Sequence, residues 1–303
     1  MPIYSKNGNA LTEITEKQFK LEREIQSLFE ENLKQIMGVV LIKSEFTIRG
    51  KRIDTLAFDE EANAFIIIEY KRDRNFSVVD RGFTYLSLML ENTADFVLEF
   101  NDRTKTNKLR RDNVDWSQSR VAFVSTAFTE NQIQATNFKD IGIELWEVRS
   151  FNNDTVSITP IKKTRSAESI KPLAKKNKEF TKITEQINVY TEEKNLAIAN
   201  EEIVELYEKF KVAILNLSDT LEVVPKKMYV AFKGGDGKNI VDIEVQRKSL
   251  KLYINAKKGA LNDAKGVMRD VANVGHYGNG DYQIQLEDDG ELEYIMSLVK
   301  QVI

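Results

Sequence analysis

Residues Arg52–Lys71 read RIDTLAFDEEANAFIIIEYK. Asp59 to Ala64 is polar enough to form a turn, so the segments on either side pair as antiparallel strands. Counting outward from Asp59 opposite Ala64 places Asp54 opposite Glu69, with Cβ atoms about 5 Å apart. Like charges directly across a strand pair are destabilising. Leu56 and Phe58 share a face with Asp54, and Phe65 and Ile67 share one with Glu69 and Lys71, because strand side chains alternate. The other face carries Ile53, Thr55, Ala57, Ile66, Ile68 and Tyr70. Strands apolar on both faces are central strands, so two acidic groups stand at the edge of a buried layer. Something cationic has to hold them there.

Lys71 is one candidate and a bound Mg²⁺ is another, since hard divalent cations take carboxylate oxygens. Such a cation polarises a phosphate and acidifies a bound water. Lys71, two residues from Glu69 on the same face, is placed to orient that water or to stabilise developing charge. The same spacing also suits a plain ion pair between a carboxylate and Lys71, and spacing alone leaves both readings open.

Outward from this hairpin, Leu21, Ile25, Leu28, Phe29, Leu33 and Ile36 recur at helical spacing and predict a helix over Glu13–Ile36. Strands are expected at Val39–Ile48, Arg52–Phe58 and Phe65–Lys71, with Arg49-Gly50-Lys51 as the first turn. A helix at Ser77–Glu91, a strand at Val121–Thr126, a short helix at Glu130–Phe138 and a strand at Ile143–Val148 follow. This order predicts an α/β domain over residues 1–161, a mixed sheet flanked by helices. Between Lys162 and Lys182 there are eight Lys/Arg and two Glu, so residues 162–200 read as a basic linker or helical arm. A second, smaller α/β domain is expected over 201–303. Its helix carries Ile203, Leu206, Tyr207, Phe210, Ile214 and Leu217. Strands at Met228–Phe232, Ile240–Gln246, Leu250–Asn255 and Tyr282–Leu286 precede a helix at Glu291–Val302.

Composition narrows the chemistry. The 303 residues are 42% hydrophobic and 30% charged, as in a protein with a real core. Cysteine is absent, which excludes disulfides and thiolate metal sites. Met1–Ala10 is polar and unlike a signal peptide, and no apolar run reaches the length of a membrane span; a cytoplasmic protein is expected. One histidine, His276, makes Ser-His-Asp or His-zinc chemistry a poor fit and leaves carboxylates as the reactive groups. It lies in Gly275–Gly280, which lacks phosphate-loop spacing and reads as a turn, with a ligand contact by His276 as the other reading. The net charge of −3 counts mildly against a nucleic-acid binder, although a local patch suffices. Arg103, Lys105, Lys108, Arg110 and Arg111, near Trp116, form either such a patch or a solvated loop. Arg72 and Arg74 stand nearer the acidic pair.

Asp54, fourteen intervening residues and then Glu69-Tyr70-Lys71 resemble the Asp…Glu-x-Lys motif of the PD-(D/E)XK nuclease superfamily. More closely, Glu22–Asp95 resembles the nuclease domain of NucS-type endonucleases. The matching strings are Glu22-Arg23-Glu24-Ile25, Gly50 to Asp54, Glu69 to Lys71, and Arg81 to Tyr85. The resemblance implies a restriction-endonuclease-like fold and hydrolysis of DNA phosphodiester bonds with Mg²⁺, or Mn²⁺, as cofactor. It also implies that a glutamate of the first helix completes the acidic set. At about 100° per residue, Glu22 lies beside the Ile25/Phe29/Leu33 stripe while Glu24 points away, which selects Glu22. Glu22, Asp54 and Glu69 are then the expected metal set and Lys71 the catalytic cation. Arg72, Arg74, Arg81 and Tyr85 are expected to contact DNA. Arg81 stands where the family has glutamine; it either binds a phosphate or fills space beside the metal. By analogy with paired nicking, a homodimer is expected. The C-terminal domain looks like a small module seen attached to nuclease-like domains. A catalytically inactive binding or regulatory protein on the same fold is the alternative.

Overall fold

The computed structural model describes residues 2–72, 76–105, 108–164, 166–175, 177–235, 237–276 and 278–303, with Glu179 described by its backbone alone. Arg74, expected above to contact DNA, lies outside the described residues.

The chain opens with a hairpin, β1 (Ile3–Asn7) and β2 (Ala10–Ile14), whose strands pair only with each other among the described residues. Gly8 holds φ at +60°, the left-handed backbone that a two-residue hairpin turn needs. This hairpin and the short β3 (Glu16–Lys17) occupy the beginning of the expected first helix. The helix α1 (Glu22–Met37) therefore starts at Glu22 rather than Glu13. It ends at Gly38, with φ +70°, the usual glycine stop.

Next come β4 (Val40–Ile48), β5 (Lys51–Asp59), β6 (Ala64–Lys71), α2 (Val78–Glu91) and α3 (Thr93–Thr104). Ser77 caps α2 by accepting the Asp80 N–H. Then follow β7 (Arg120–Ser125), α4 (Glu130–Thr136), β8 (Ile143–Phe151) and β9 (Val156–Ile161). A seven-stranded mixed sheet runs β3-β8-β7-β6-β5-β4, with β9 also on β8. The strands β6, β7 and β8 are parallel, and β4, β5 and β6 antiparallel. Alternation along the strands makes two cores. Ala57, Ile66, Ile68, Tyr70 and Val124 pack with Ile25, Phe29 and Leu33 of α1. Phe58, Phe65, Ile67, Val121 and Phe123 pack with Phe83, Leu86 and Met89 of α2 and Phe96 of α3.

The basic stretch expected as a linker belongs largely to this unit. It holds α5 (Lys171–Ala174) and α6 (Lys178–Gln186). Ile170, Ile183 and Ile187 are buried in the core on the α2 side, and Phe180 stacks on Phe83 at 4.2 Å. The apolar residues recur at helical spacing and bury a stripe, while Lys171, Lys175, Lys178 and Lys182 are exposed. The first compact unit is thus Met1–Val189 and the second Tyr190–Ile303, in place of boundaries at 161 and 201.

The second unit comprises α7 (Glu192–Leu196), α8 (Glu201–Leu215), β10 (Glu222–Pro225), β11 (Val230–Lys233), β12 (Asn239–Val245), β13 (Leu250–Ile254), β14 (Arg269–Asp270), β15 (Tyr282–Leu286) and α9 (Leu292–Val299). Its six-stranded sheet, ordered β10-β11-β12-β13-β15-β14, is antiparallel throughout. Val241, Ile243, Leu250, Leu252 and Ile254 pack with Tyr207 and Phe210 of α8 and Ile295 and Val299 of α9. Asp242, Glu244 and Tyr253 alternate onto the other face. Among the described residues no helix is long and apolar enough to cross a membrane.

Candidate active site at the end of β6

The β5–β6 ladder runs from Asp59 opposite Ala64 to Thr55 opposite Ile68. One step further the ladder gives way to a side chain: Asp54 Oδ2 accepts the Tyr70 N–H at 3.0 Å. Asp54 and Glu69 thus come together at the C-terminal end of β6.

Glu69 is 3% exposed, and both its oxygens are engaged. Lys71 Nζ and Arg81 Nη1 each lie 3.0 Å from Oε1. Tyr85 donates its hydroxyl to Oε2 at 2.9 Å. Arg81 and Tyr85 sit one turn apart on α2, which explains why both reach one carboxylate. The helix approaches the sheet closely here, because position 82 is glycine: a Cβ there would lie 2.3 Å from Ile143 Cδ1.

Lys71 bridges several groups. Its ammonium donates to the Tyr70 carbonyl at 2.8 Å and lies 3.6 Å from Glu22 Oε2. Glu22 Oε1 accepts the Arg72 N–H at 3.2 Å. Glu24 instead accepts the Lys20 N–H at 2.8 Å, at the entry to α1. The Arg72 guanidinium donates to the Lys20 carbonyl at 2.7 Å, so Arg72 meets this cluster through its backbone. The structure therefore gathers Glu22, Asp54, Glu69, Lys71, Arg81 and Tyr85, with Arg72 on the border. Arg103, Lys105, Lys108, Arg110 and Arg111 are exposed at and beyond the end of α3.

Burial pushes the Asp54 carboxyl up to about 6, and the negative charge of Glu69 adds to this. The Tyr70 N–H and Lys71 pull it down, and Glu45 pushes it up slightly. Burial and then Glu69 also raise the Tyr85 phenol, so it stays a proton donor.

Among the described residues no three Asp, Glu or His side chains converge to hold a metal ion. Two do stand in each other's field, as the raised Asp54 carboxyl records. A cation shared by Asp54 and Glu69 would relieve that repulsion, and all-oxygen donors suit a hard divalent ion. The pair fits such an ion. Glu22 meets the ammonium of Lys71 instead.

The sequence reading missed a brace beneath the site. Gln26 on α1 is buried and donates to the Asp54 carbonyl and to Glu30 Oε1, both at 3.0 Å, and Thr55 donates its hydroxyl to Glu30. These contacts fix β5 where Asp54 leaves the ladder. A buried glutamine beside Ile25, one turn before Glu30, was the available signal. In the second unit His276 stacks on Tyr253 at 5.2 Å, and its Nδ1 and Nε2 face the carbonyls of Val274 and Gly280 at 2.6 and 3.1 Å.

Residues 190–301, most of the second unit, match the family described as a domain of unknown function, DUF5655. Among solved structures, the chain is similar to a repair endonuclease from Pyrococcus abyssi, at 20% identity and a TM-score of 0.26. That match covers 44% of this chain and 49% of the other, about half its length. An EndoMS–dsDNA complex matches at 14% identity and a TM-score of 0.25, over 48% of this chain and 64% of the other. Pyrococcus furiosus SfsA in complex with Ca²⁺ matches at 14% identity and a TM-score of 0.25, over 52% and 75%. An uncharacterized protein of Haemophilus influenzae is 51% identical over 303 residues, spanning 100% of this chain and 99% of its own. At that identity and coverage, the chain belongs to the same protein family as the Haemophilus influenzae protein.

Proposed function

We propose that the N-terminal unit is a divalent-metal-dependent endonuclease that hydrolyses phosphodiester bonds in DNA. One observation carries this reading. A nearly fully buried carboxylate, Glu69, stands at the end of a central strand within contact of Lys71, Arg81 and Tyr85, and Asp54 lies beside it with its carboxyl raised to about 6. Buried carboxylates lower stability unless they are paired, and this pair retains repulsion that a cation would relieve.

In this reading Asp54 and Glu69 hold Mg²⁺ or Mn²⁺, which supplies Lewis acidity toward a phosphoryl oxygen when bound. Lys71, fixed by the Tyr70 carbonyl and Glu69, orients the attacking water and stabilises charge on the phosphate. Glu22 positions the Lys71 ammonium. Tyr85 directs Glu69 through its hydroxyl. Arg72, directly after β6, is assigned the DNA backbone as it leaves the site. The cysteine-free composition suits a reducing cytoplasm, and a homodimer would allow paired nicks.

The test is cleavage of plasmid, single-stranded, flap and methylated duplex DNA with Mg²⁺ and with Mn²⁺, comparing wild type with Lys71→Ala. Metal-dependent cutting lost in the variant supports the reading, and equal trace cutting by both marks a contaminant. A second reading, a binding protein on a nuclease-like site, is favoured by Arg81 on Glu69. Under it, divalent ions give no thermal stabilisation, whereas the nuclease gains stability by linkage and loses that gain in Asp54→Ala.

A further inference from the structure

Glu69 Oε1 carries two cations, and they are held very differently. Lys71 is 17% exposed and is fixed by the Tyr70 carbonyl and Glu22 as well as by Glu69. Arg81 is 49% exposed, and Glu69 is the one partner that the described residues give it. It reaches in from α2, half-exposed, and touches Glu69 through Nη1. A guanidinium has five N–H donors, and the Glu69 contact engages Nη1. Arginine also binds phosphate oxygens well, through two parallel hydrogen bonds. With Tyr85 on Oε2 and two cations on Oε1, Glu69 has little free acceptor capacity of the roughly four lone-pair sites a carboxylate offers.

We propose that Arg81 is a phosphate-released latch on Glu69, an anion-binding residue whose departure opens the carboxylate to a divalent cation. The proposal rests on the nuclease reading above. Without an anion, Arg81 holds Glu69 Oε1 and weakens the affinity of the Asp54/Glu69 pair for the ion. A phosphodiester oxygen takes the guanidinium, Arg81 swings outward, and Oε1 becomes available. Phosphate and cation then bind with positive coupling, and by linkage each tightens the other equally. Lys71 does not leave, because three groups on β6 and α1 hold it. The chemical consequence is selectivity: the metal site completes itself only where a phosphodiester is present.

The experiment measures Mn²⁺ affinity of the full chain from the free-Mn²⁺ electron paramagnetic resonance signal. Sulfate serves as the phosphate mimic, against chloride at matched ionic strength. Wild type, Arg81→Gln and Asp54→Asn are compared, with circular dichroism confirming that each is folded. Without sulfate, Arg81→Gln is expected to bind Mn²⁺ about tenfold more tightly than wild type, within the usual span of coupling between sites. Sulfate is expected to tighten Mn²⁺ binding by wild type several-fold and to leave Arg81→Gln unchanged, a response that loss of a positive charge alone would not abolish. Asp54→Asn loses the binding, which locates it. Equal Mn²⁺ affinities, or the same sulfate response in wild type and Arg81→Gln, overturn the latch and leave the metal site standing. Absence of Mn²⁺ binding in both overturns the latch and the nuclease reading together.

Discussion

Each unit buries a carboxylate on a central strand, and the side chains seen around the two differ. Asp242 in the C-terminal unit is 0% exposed. It accepts from Asn239 Nδ2 at 2.9 Å, from Asn255 Nδ2 at 3.3 Å, and from the backbone and side chain of Asn279 at 2.7 and 2.8 Å. These donors are neutral, short and local. Glu69 in the N-terminal unit is held by two long cationic side chains and a phenol, beside a second carboxylate that repels it. The amide contacts to Asp242 tie the loop at Asn279 to the sheet. One ringed by Lys and Arg can exchange those cations for others. Burial alone therefore separates the two sites poorly, and Glu244 of the second unit, contacted by Lys251 and the Tyr253 hydroxyl, has partners of the same kind as Glu69.

The largest expected effect lies on the exchangeable side. Lys71→Ala should lower the cleavage rate about 10³-fold, the range found when a group stabilising the transition state is removed. A variant that cuts DNA at the wild-type rate would place the chemistry elsewhere. Next, Asp242→Ala should destabilise the C-terminal unit by about 2 kcal/mol, because the hydrogen bonds that a fully buried carboxylate accepts from Asn239, Asn255 and Asn279 are lost. Hydrogen exchange should then quicken in β12 and β13 while cleavage is unchanged; unaltered protection there would break the contrast drawn above.

A third test uses pH. The folded-state carboxyl of Asp54 sits near 6 against an ordinary 3.8. Between those values the native state binds the extra proton, so this group removes stability as pH rises from about 4 to 6, and the loss persists above. Asp54→Asn should therefore be more stable than wild type at pH 7 by about 1–2 kcal/mol after allowance for solvent screening. The difference should vanish near pH 4, and a pH-independent difference in thermal melts would contradict a carboxyl raised by burial and by Glu69. Smallest is Tyr85→Phe, which removes one hydrogen bond to Glu69 Oε2 and should cost about 1 kcal/mol. Chemical denaturation resolves that, and an effect matching Lys71→Ala on cleavage would give the phenol a larger part than positioning.

Much of the site's framework was legible in residues 52–71, because a turn of fixed ends and a side-chain period of two set which residues face each other. The β5–β6 register is the expected one. Helical phase likewise distinguished Glu22, which lies by Lys71, from Glu24, which turns to Lys20. The rest failed for identifiable reasons. Gly8-Asn9 forms the turn of the first hairpin, but the helical stripe that begins at Leu21 extended the expected helix backward over β3 and the end of β2. The lysines of 162–182 dominated the reading of that segment, although Phe180, Ile183 and Ile187 already mark a buried helical face. Arg81 was left with two roles. Sequence cannot show that a side chain three residues into a helix touches a strand residue twelve positions earlier, and the 3.0 Å contact with Glu69 is a tertiary fact.

Gly82 sets the reach of that contact. Because it lacks a Cβ, α2 settles directly against Ile143, and the neighbouring Arg81 and Tyr85 reach Glu69 from that helix. Enlarging position 82 acts as a wedge. Gly82→Ala would be accommodated through the flexible tip of Ile143, whereas a bulky side chain would lift the helix and draw both of its polar groups off the carboxylate at once. A packing defect between helix and sheet would thus be felt in the contacts of Glu69.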